Sequence, residues 1–215
     1  MSTITETAYP AAPEAEAATF RRWRWYHGVI FYVIVQVTNF LLSGLVSIVR
    51  GKRSGLRERF FGDVPYFRRL KQSIFAPPSW AFGPVWTINN ISEIWGLLLA
   101  LNKPKDTPGR RLYLASQGLT WLNFVVFNAG YFSLRSPINA LVFTFTFFLL
   151  TVAKLFVAIF GLKDSRVALS LATTILWLMS ALTAALFQAA WNRDDLYKVG
   201  PFIKPARRLL RKRPR

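Results

Sequence analysis

The chain contains no cysteine and only one histidine among its 215 residues. Without cysteine it can form neither a disulfide nor a thiolate metal site, and it has no thiol nucleophile. A single histidine leaves little for metal binding or for acid–base catalysis. Because no paired acids occupy a plausible cleft either, the sequence favours a protein that is not an enzyme and that holds no metal.

Acidic residues are also scarce, since 10 Asp and Glu stand against 28 Lys and Arg, giving a net charge of +18. Charge alone would indicate a nucleic-acid partner. However, 53% hydrophobic residues, 16% aromatic residues and a mean hydropathy of +0.27 are high for a soluble protein. Nucleic-acid-binding proteins rarely contain several apolar runs of about 20 residues. The composition therefore predicts a membrane protein without a nucleic-acid partner.

The segment 75–101 is the clearest of these runs. Pro77 and Pro78 cannot lie inside a helix but are compatible with its start, so a helix is predicted from Ser79. About 20 apolar residues cross the hydrocarbon core, and this segment has that length with one charge, Glu93. Tryptophans near its start are typical of the headgroup level. The segment is predicted to span the membrane.

Four further apolar runs, separated by turn-forming residues, predict an all-α integral membrane protein with a bundle of five transmembrane helices at 26–191. Ser136 followed by Pro137 has the pattern of a helix start. A stripe of small residues, Ala181, Ala185 and Ala189, permits close helix packing. The predicted spans are about 28–49, 79–101, 112–134, 137–160 and 167–190.

The remaining segments are predicted to lie outside the membrane. Residues 1–25 form a disordered or extended tail ending in a basic-aromatic anchor, and they lack a signal-peptide pattern. The loop 50–76 and the tail 192–215 are strongly basic, which predicts a cytoplasmic C-terminus and an outside N-terminus. The loop is either a lid over a cavity or a solvated segment near headgroups. The tail is either a lipid anchor for anionic headgroups or a protein-docking segment.

Glu93 and Lys154 are ionisable residues inside predicted spans, where charge is costly unless it faces protein or water. Both spans start on the same side, and at about 1.5 Å per residue the two side chains lie at similar depths. One hypothesis is a Glu93–Lys154 pair that closes one end of the bundle interior. The other is that Glu93 faces a partner or a pigment while Lys154 reaches toward the interface.

The run Pro77-Pro78-Ser79-Trp80-Ala81-Phe82 with Trp86-Thr87 resembles the first loop and second helix of the TspO/MBR family, the translocator or tryptophan-rich sensory proteins. Weaker similarity continues through 131–137 and 191–194. Members bind porphyrins or sterols and are commonly homodimers, so the resemblance implies a ligand cavity under the loop 50–76. The residues that it implies for ligand binding are Pro77, Trp80, Phe82, Trp86, Asn90, Trp121, Phe124, Phe127 and Phe187.

This chain departs from the family pattern at several polar positions. Asn90 stands where the family usually has tyrosine, and Glu93 stands where it usually has an apolar residue. Phe124, Phe127 and Phe187 replace polar or tryptophan positions. A less polar cavity favours an apolar or extended aromatic ligand, such as a carotenoid or a chlorophyll-type or porphyrin tetrapyrrole. The alternative is a filled pocket that binds nothing.

Two functions remain open at this point. The first is a TspO-like membrane protein that binds a tetrapyrrole, sterol or carotenoid in the bundle, in a bacterial inner membrane or an organelle membrane. The second is an accessory subunit of a larger complex, such as a photosynthetic pigment-bearing one, in which the scaffold is reused. Partners would then be other subunits rather than a second copy of the chain.

Overall fold

The computed structural model describes residues 22–51, 55 and 63–211, and within these ranges the chain is helical, with one isolated β-bridge and no β-strand. Predictions that concern the tail 1–21, residues 52–54 and 56–62 of the loop, and residues 212–215 lie outside the described residues. Five long helices form a bundle, and two short helices connect them. The helices are α1 Trp25–Val49, α2 Val64–Arg69, α3 Phe82–Leu101, α4 Arg110–Asn128, α5 Pro137–Phe156, α6 Ser165–Leu169 and α7 Ala172–Trp191.

Helix starts follow from local capping chemistry. Ser136 Oγ accepts a hydrogen bond from the Asn139 amide at 3.0 Å, and Pro137 occupies the first turn of α5. Asp164 caps α6 in the same way, through the amides of Arg166 and Val167. Before α3 the two prolines are followed by a 3₁₀ turn, Ser79–Ala81, so the α-helix itself begins at Phe82.

Single π-helical turns continue α4 and α5. Ala129–Ser133 extends α4 and Val157–Gly161 extends α5, so both helices change pitch at their ends without breaking. At the first of these turns the Asn139 side chain donates to the Gly130 carbonyl at 3.2 Å, which joins the end of α4 to the start of α5.

Three segments are long and apolar enough to cross a membrane by length and composition: Trp25–Val49, Pro137–Gly161 and Ser165–Trp191. The helices α3 and α4 fall outside this group because their polar residues lower the mean hydropathy. Among these residues are Asn89, Asn90 and Glu93 of α3 and Gln117 of α4, all of which are buried.

The described ends of the chain lie at opposite ends of the bundle. Near its start, the backbone of Trp23 exchanges two hydrogen bonds of 2.8 Å with the Asn102 side chain. Lys103 of the same loop forms an ion pair of 2.8 Å with Asp164. The other end of the bundle carries residues 63–81 and the residues that follow α7.

Residues 192–211, called here the C-terminal segment, fold back onto the loop before α3. The Asn192 side chain accepts from the Lys71 amide at 2.7 Å and donates to the Lys71 carbonyl at 3.2 Å. The Ile74 amide donates to the Leu209 carbonyl at 3.0 Å, and the Arg211 amide donates to the Gln72 carbonyl at 3.0 Å. The Arg211 guanidinium also donates to the carbonyls of residues 76 and 77. These bonds brace residues 71–77.

Candidate functional site

A cavity of about 550 Å³ lies inside the bundle, at the end that carries residues 63–81. All five long helices and α2 contribute to its lining. The lining residues are Tyr32, Gln36, Asn39, Phe67, Ser79, Trp80, Phe82, Gly83, Trp86, Thr87, Asn90, Phe124, Phe127, Asn128, Tyr131, Phe132, Thr144, Phe147 and Leu178. Its volume lies within the range of pockets that hold small organic molecules.

Aromatic rings build most of the cavity wall. The Trp86 ring lies 5.4 Å from Phe147 in a stacked arrangement and 5.7 Å from Phe124 edge to face. Phe82 packs against Phe67 of α2 at 5.2 Å, so the short helix completes the wall. Edge-to-face and stacked aromatic pairs are favourable contacts, so these rings form a packed apolar wall.

Neutral polar groups interrupt this aromatic wall. The amides of Gln36, Asn39, Asn90 and Asn128 and the hydroxyls of Ser79, Thr87 and Thr144 all line the cavity. The Asn39 side chain is 2% exposed, and its Oδ1 has no hydrogen-bond partner among the described residues. The cavity can therefore offer hydrogen bonds at several points as well as apolar contact.

Of the residues that the sequence predicted for ligand binding, six line the cavity: Trp80, Phe82, Trp86, Asn90, Phe124 and Phe127. Trp80 is 76% exposed, which places it at the rim rather than in the interior.

The other three, Trp121, Phe187 and Pro77, are not among the residues that line the cavity. The Trp121 ring packs against Phe31 at 5.2 Å and against Phe124 at 5.6 Å, behind the wall. The Phe187 ring stacks on Phe75 and packs at a tilt against Trp191, with ring centroids 6.4 and 4.5 Å away. Pro77 is buried in the braced loop, where its carbonyl accepts from Arg211.

Sequence reasoning missed the contribution of the first helix to the site. Tyr32, Gln36 and Asn39 recur at helical spacing along one face of α1, and all three line the cavity. A polar stripe in an otherwise apolar span is the signal that would have indicated them. Phe147 and Leu178 carried no comparable signal, because apolar and aromatic residues are abundant on every span.

Beyond the cavity the structure brings Glu93 and Lys154 together. The Lys154 ammonium donates to Glu93 Oε2 at 2.7 Å, and both side chains are almost fully buried, at 0% and 2% exposure. Gln117 of α4 joins them: its Nε2 donates to Glu93 Oε2 at 2.9 Å and its Oε1 accepts from Lys154 at 2.8 Å. The sequence did not predict Gln117. These three residues, called the charged cluster below, connect α3, α4 and α5.

Several buried polar atoms of the bundle have no partner among the described residues. They include Glu93 Oε1, both amide atoms of Asn89 one turn away, and the Thr174 hydroxyl on α7. Burying a polar group without a hydrogen bond costs free energy. Buried polar groups therefore occur in the bundle interior beyond the cavity as well as in the cavity wall. Among the described residues, no three His, Asp or Glu side chains come together in a group that could hold a metal ion.

A chain of hydrogen bonds links the cavity wall to the braced loop. The Tyr131 hydroxyl donates to Gln188 Oε1 at 2.6 Å, and Gln188 Nε2 donates to Gln72 Oε1 at 2.8 Å. The Gln72 side chain in turn donates from Nε2 to the backbone carbonyl of Phe67, a lining residue, at 2.7 Å. The loop before α3 and the wall are consequently one hydrogen-bonded unit.

Comparison with known proteins gives a family but no individual relative. A search of curated proteins and a search of solved structures each returned no match. The family model described as "TspO/MBR family" matches residues 31–192, which include every residue that lines the cavity and the charged cluster. The resemblance first indicated by the segment 77–87 is thereby confirmed, and with the apolar helices it establishes an integral membrane protein. The chain belongs to the TspO/MBR family.

Proposed function

We propose that this protein spans the membrane five times and binds a hydrophobic ligand, of the tetrapyrrole, sterol or carotenoid type, in the bundle cavity. The observation that carries the proposal is the cavity of about 550 Å³ with its aromatic wall. The aromatic and neutral polar lining offers a binding surface, so the proposed role is ligand binding.

The proposal of five spans is supported by which side chains of α3 and α4 are buried and which are exposed. Their polar residues Asn89, Glu93 and Gln117 are buried, so the low hydropathy of these helices arises from groups that face the bundle. Most of their large exposed side chains are apolar, as expected for contact with lipid. These exposed residues include Ile88, Ile91, Trp95, Leu119 and Leu122.

Ligand binding can be tested by quenching of tryptophan fluorescence in purified protein held in lipid nanodiscs. Trp80 and Trp86 line the cavity, so a bound chromophore should quench them. We expect saturable quenching by protoporphyrin IX dimethyl ester or by a carotenoid.

Thr144→Phe places a ring in the cavity and should weaken binding at least about tenfold, because the ring would occupy space that the ligand needs. Thr183→Phe makes the same change on an exposed face of α7 and should leave binding unchanged. Quenching that never saturates, or that Thr144→Phe does not affect, contradicts the proposal.

The proposed orientation has the N-terminus outside and the C-terminal segment in the cytoplasm, on the side of the basic loop. Because the chain lacks cysteine, single cysteines can be introduced without background. Asp106→Cys and Lys204→Cys lie at opposite ends of the bundle and are both exposed. A membrane-impermeant maleimide should label residue 106 from outside intact cells and residue 204 only after lysis. Labelling of both from one side contradicts the five-span arrangement.

A second candidate function is that of an accessory subunit, such as one in a pigment-bearing complex. The C-terminal segment favours it, because residues 193–211 lie beyond the matched family region and expose Tyr197, Phe202 and Ile203 beside basic residues. Gentle extraction from the native membrane should then yield other polypeptides in fixed stoichiometry. Migration only as a monomer or a homodimer with bound pigment or lipid supports the first function instead.

A further inference from the structure

The inner wall of the cavity carries no ionised group among the described residues. Its polar members are amides, hydroxyls and phenols, and no Asp, Glu, Lys, Arg or His lines it. The absence is notable in a chain with 28 basic residues. Among the described residues, the basic side chains lie outside the cavity lining, and the lining itself is neutral.

Three buried or partly buried basic residues on elements around the cavity make contacts outside its lining. Lys154 is fully buried beyond the cavity and binds Glu93 and Gln117. Arg135 lies 3.4 Å from Asp63 and over the Tyr66 ring. Arg211 donates to backbone carbonyls of the braced loop. Lys154 and Arg211 would have to leave these partners to pair with a ligand carboxylate inside the cavity. Arg135 has an Nε without a partner among the described residues, but it is not part of the lining.

An anion and a neutral polar group therefore meet very different conditions in this cavity. A carboxylate moved from water into a mostly apolar cavity without a cation loses its hydration and gains little in return. An ester carbonyl or a hydroxyl can instead exchange its water hydrogen bonds for bonds with the lining amides. Asn39 has unused capacity of this kind, because its Oδ1 lacks a partner.

We propose that the cavity selects uncharged ligands and discriminates against carboxylates. Its ligand class is an esterified tetrapyrrole, or an isoprenoid or sterol whose polar group is a hydroxyl, rather than a porphyrin with free propionates. This inference rests on the proposed function, since it concerns the ligand class of the same cavity. It adds that selection is made by charge through the neutral lining.

Protoporphyrin IX and its dimethyl ester form a matched pair of probes, because they share one ring and differ in two ionisable groups. Fluorescence quenching is measured for both at pH 7.5 in nanodiscs of uncharged lipid, with Thr144→Phe subtracting partition into the bilayer. The dimethyl ester should bind with a Kd at least about tenfold lower than that of the free acid, given the cost of burying an unpaired carboxylate. Equal affinities, or tighter binding of the free acid, overturn this inference while leaving the proposed function intact. Absence of saturable binding by either probe and by a carotenoid overturns the proposed function itself.

A charge introduced into the wall tests the same idea from the protein side. Asn90 lines the cavity in the middle of α3, one turn from the rim residue Thr87. Asn90→Lys should strengthen binding of the free acid at least about fivefold relative to the ester, because it supplies the missing cation. Asn90→Asp changes the same position with opposite charge and should weaken the free acid further. If Asn90→Lys does not fold, Thr87→Lys makes the equivalent change nearer the rim. A folded lysine variant with an unchanged acid-to-ester ratio contradicts selection by the wall.

Discussion

The two halves of the bundle are built from the same five helices but differ in how closely these helices pack. In the half near residues 63–81, aromatic side chains hold the helices apart around the cavity. In the other half, Tyr113, Leu171 and Val167 are fully buried and small residues let the backbones approach. The charged cluster of Glu93, Gln117 and Lys154 lies between them. Side-chain size along each helix thus decides where the bundle opens, and a buried polar layer marks the change.

The largest effect is expected from breaking the charged cluster on one side. Lys154→Met leaves the Glu93 carboxylate buried without a cation and should lower the free energy of unfolding by about 3–5 kcal/mol. The double variant Glu93→Gln/Lys154→Met removes both charges and should regain most of that loss. Lys105→Met, at an exposed lysine, is the matched control and should change little. Thermal unfolding in detergent measures all three, and a single variant as stable as the double one contradicts a stabilising pair.

Glycine positions on α3 can sharpen the contrast between the halves. A Cβ added at Gly96 would collide with Ser170 Oγ and lie 3.0 Å from the Tyr113 hydroxyl. Gly96→Ala should therefore destabilise the protein by about 1–3 kcal/mol. Gly83, on the same helix in the cavity half, has no atom within 4 Å of its added Cβ. Gly83→Ala should be neutral or slightly stabilising, and an equal loss at both positions would show that the halves are packed alike.

Two buried side-chain amides, those of Gln117 and Asn89, test how much hydrogen bonding contributes to stability near the charged cluster. Gln117 bonds to both Glu93 and Lys154, whereas both amide atoms of Asn89 lack partners. Gln117→Leu should destabilise by about 1–3 kcal/mol, because it leaves partners unsatisfied. Asn89→Leu should be neutral or raise the melting temperature, because it removes unsatisfied groups. A loss of stability in Asn89→Leu as large as in Gln117→Leu would show that Asn89 is bonded in solution.

The smallest effect is expected at the end of the bundle opposite the cavity. Burial raises the pKa of Asp164, but hydrogen bonds from Lys103 and from the amides of Val167 and Arg166 outweigh it, so this pKa lies below its usual value of 3.8. Its contribution to stability is therefore present above pH 3.8 and is lost as the pH falls through the lowered folded-state pKa. Asp164→Asn, which removes the charge and keeps the shape of the cap, should cost about 1 kcal/mol or less at pH 7. The cost should shrink in acid; a difference that is constant from pH 7 to pH 3 contradicts the assignment.

The sequence indicated features that depend on local chemistry or on depth. The Ser136-Pro137 pair marked the start of α5, and counting residues from the helix starts placed Glu93 and Lys154 at matching depths. It did not indicate Gln117, because choosing between neighbouring polar residues requires the rotation of α4, which packing sets. The same rotation decides that Trp121 lies behind the wall while Phe124 lines it. When a helix is apolar on most sides, its sequence pattern gives little indication of which face points into the bundle.

The brace of residues 71–77 has a consequence for ligand exchange. Asn192 and Leu209–Arg211 hold backbone that leads directly into Ser79 and Trp80 at the rim, although none of these bracing residues touches the interior. Under the proposed function, alterations there would change how quickly a ligand arrives and departs, while its affinity at equilibrium would still depend on the lining. Since Leu209–Arg211 lies beyond the matched family region, two members with identical linings could differ in residence time through their tails alone.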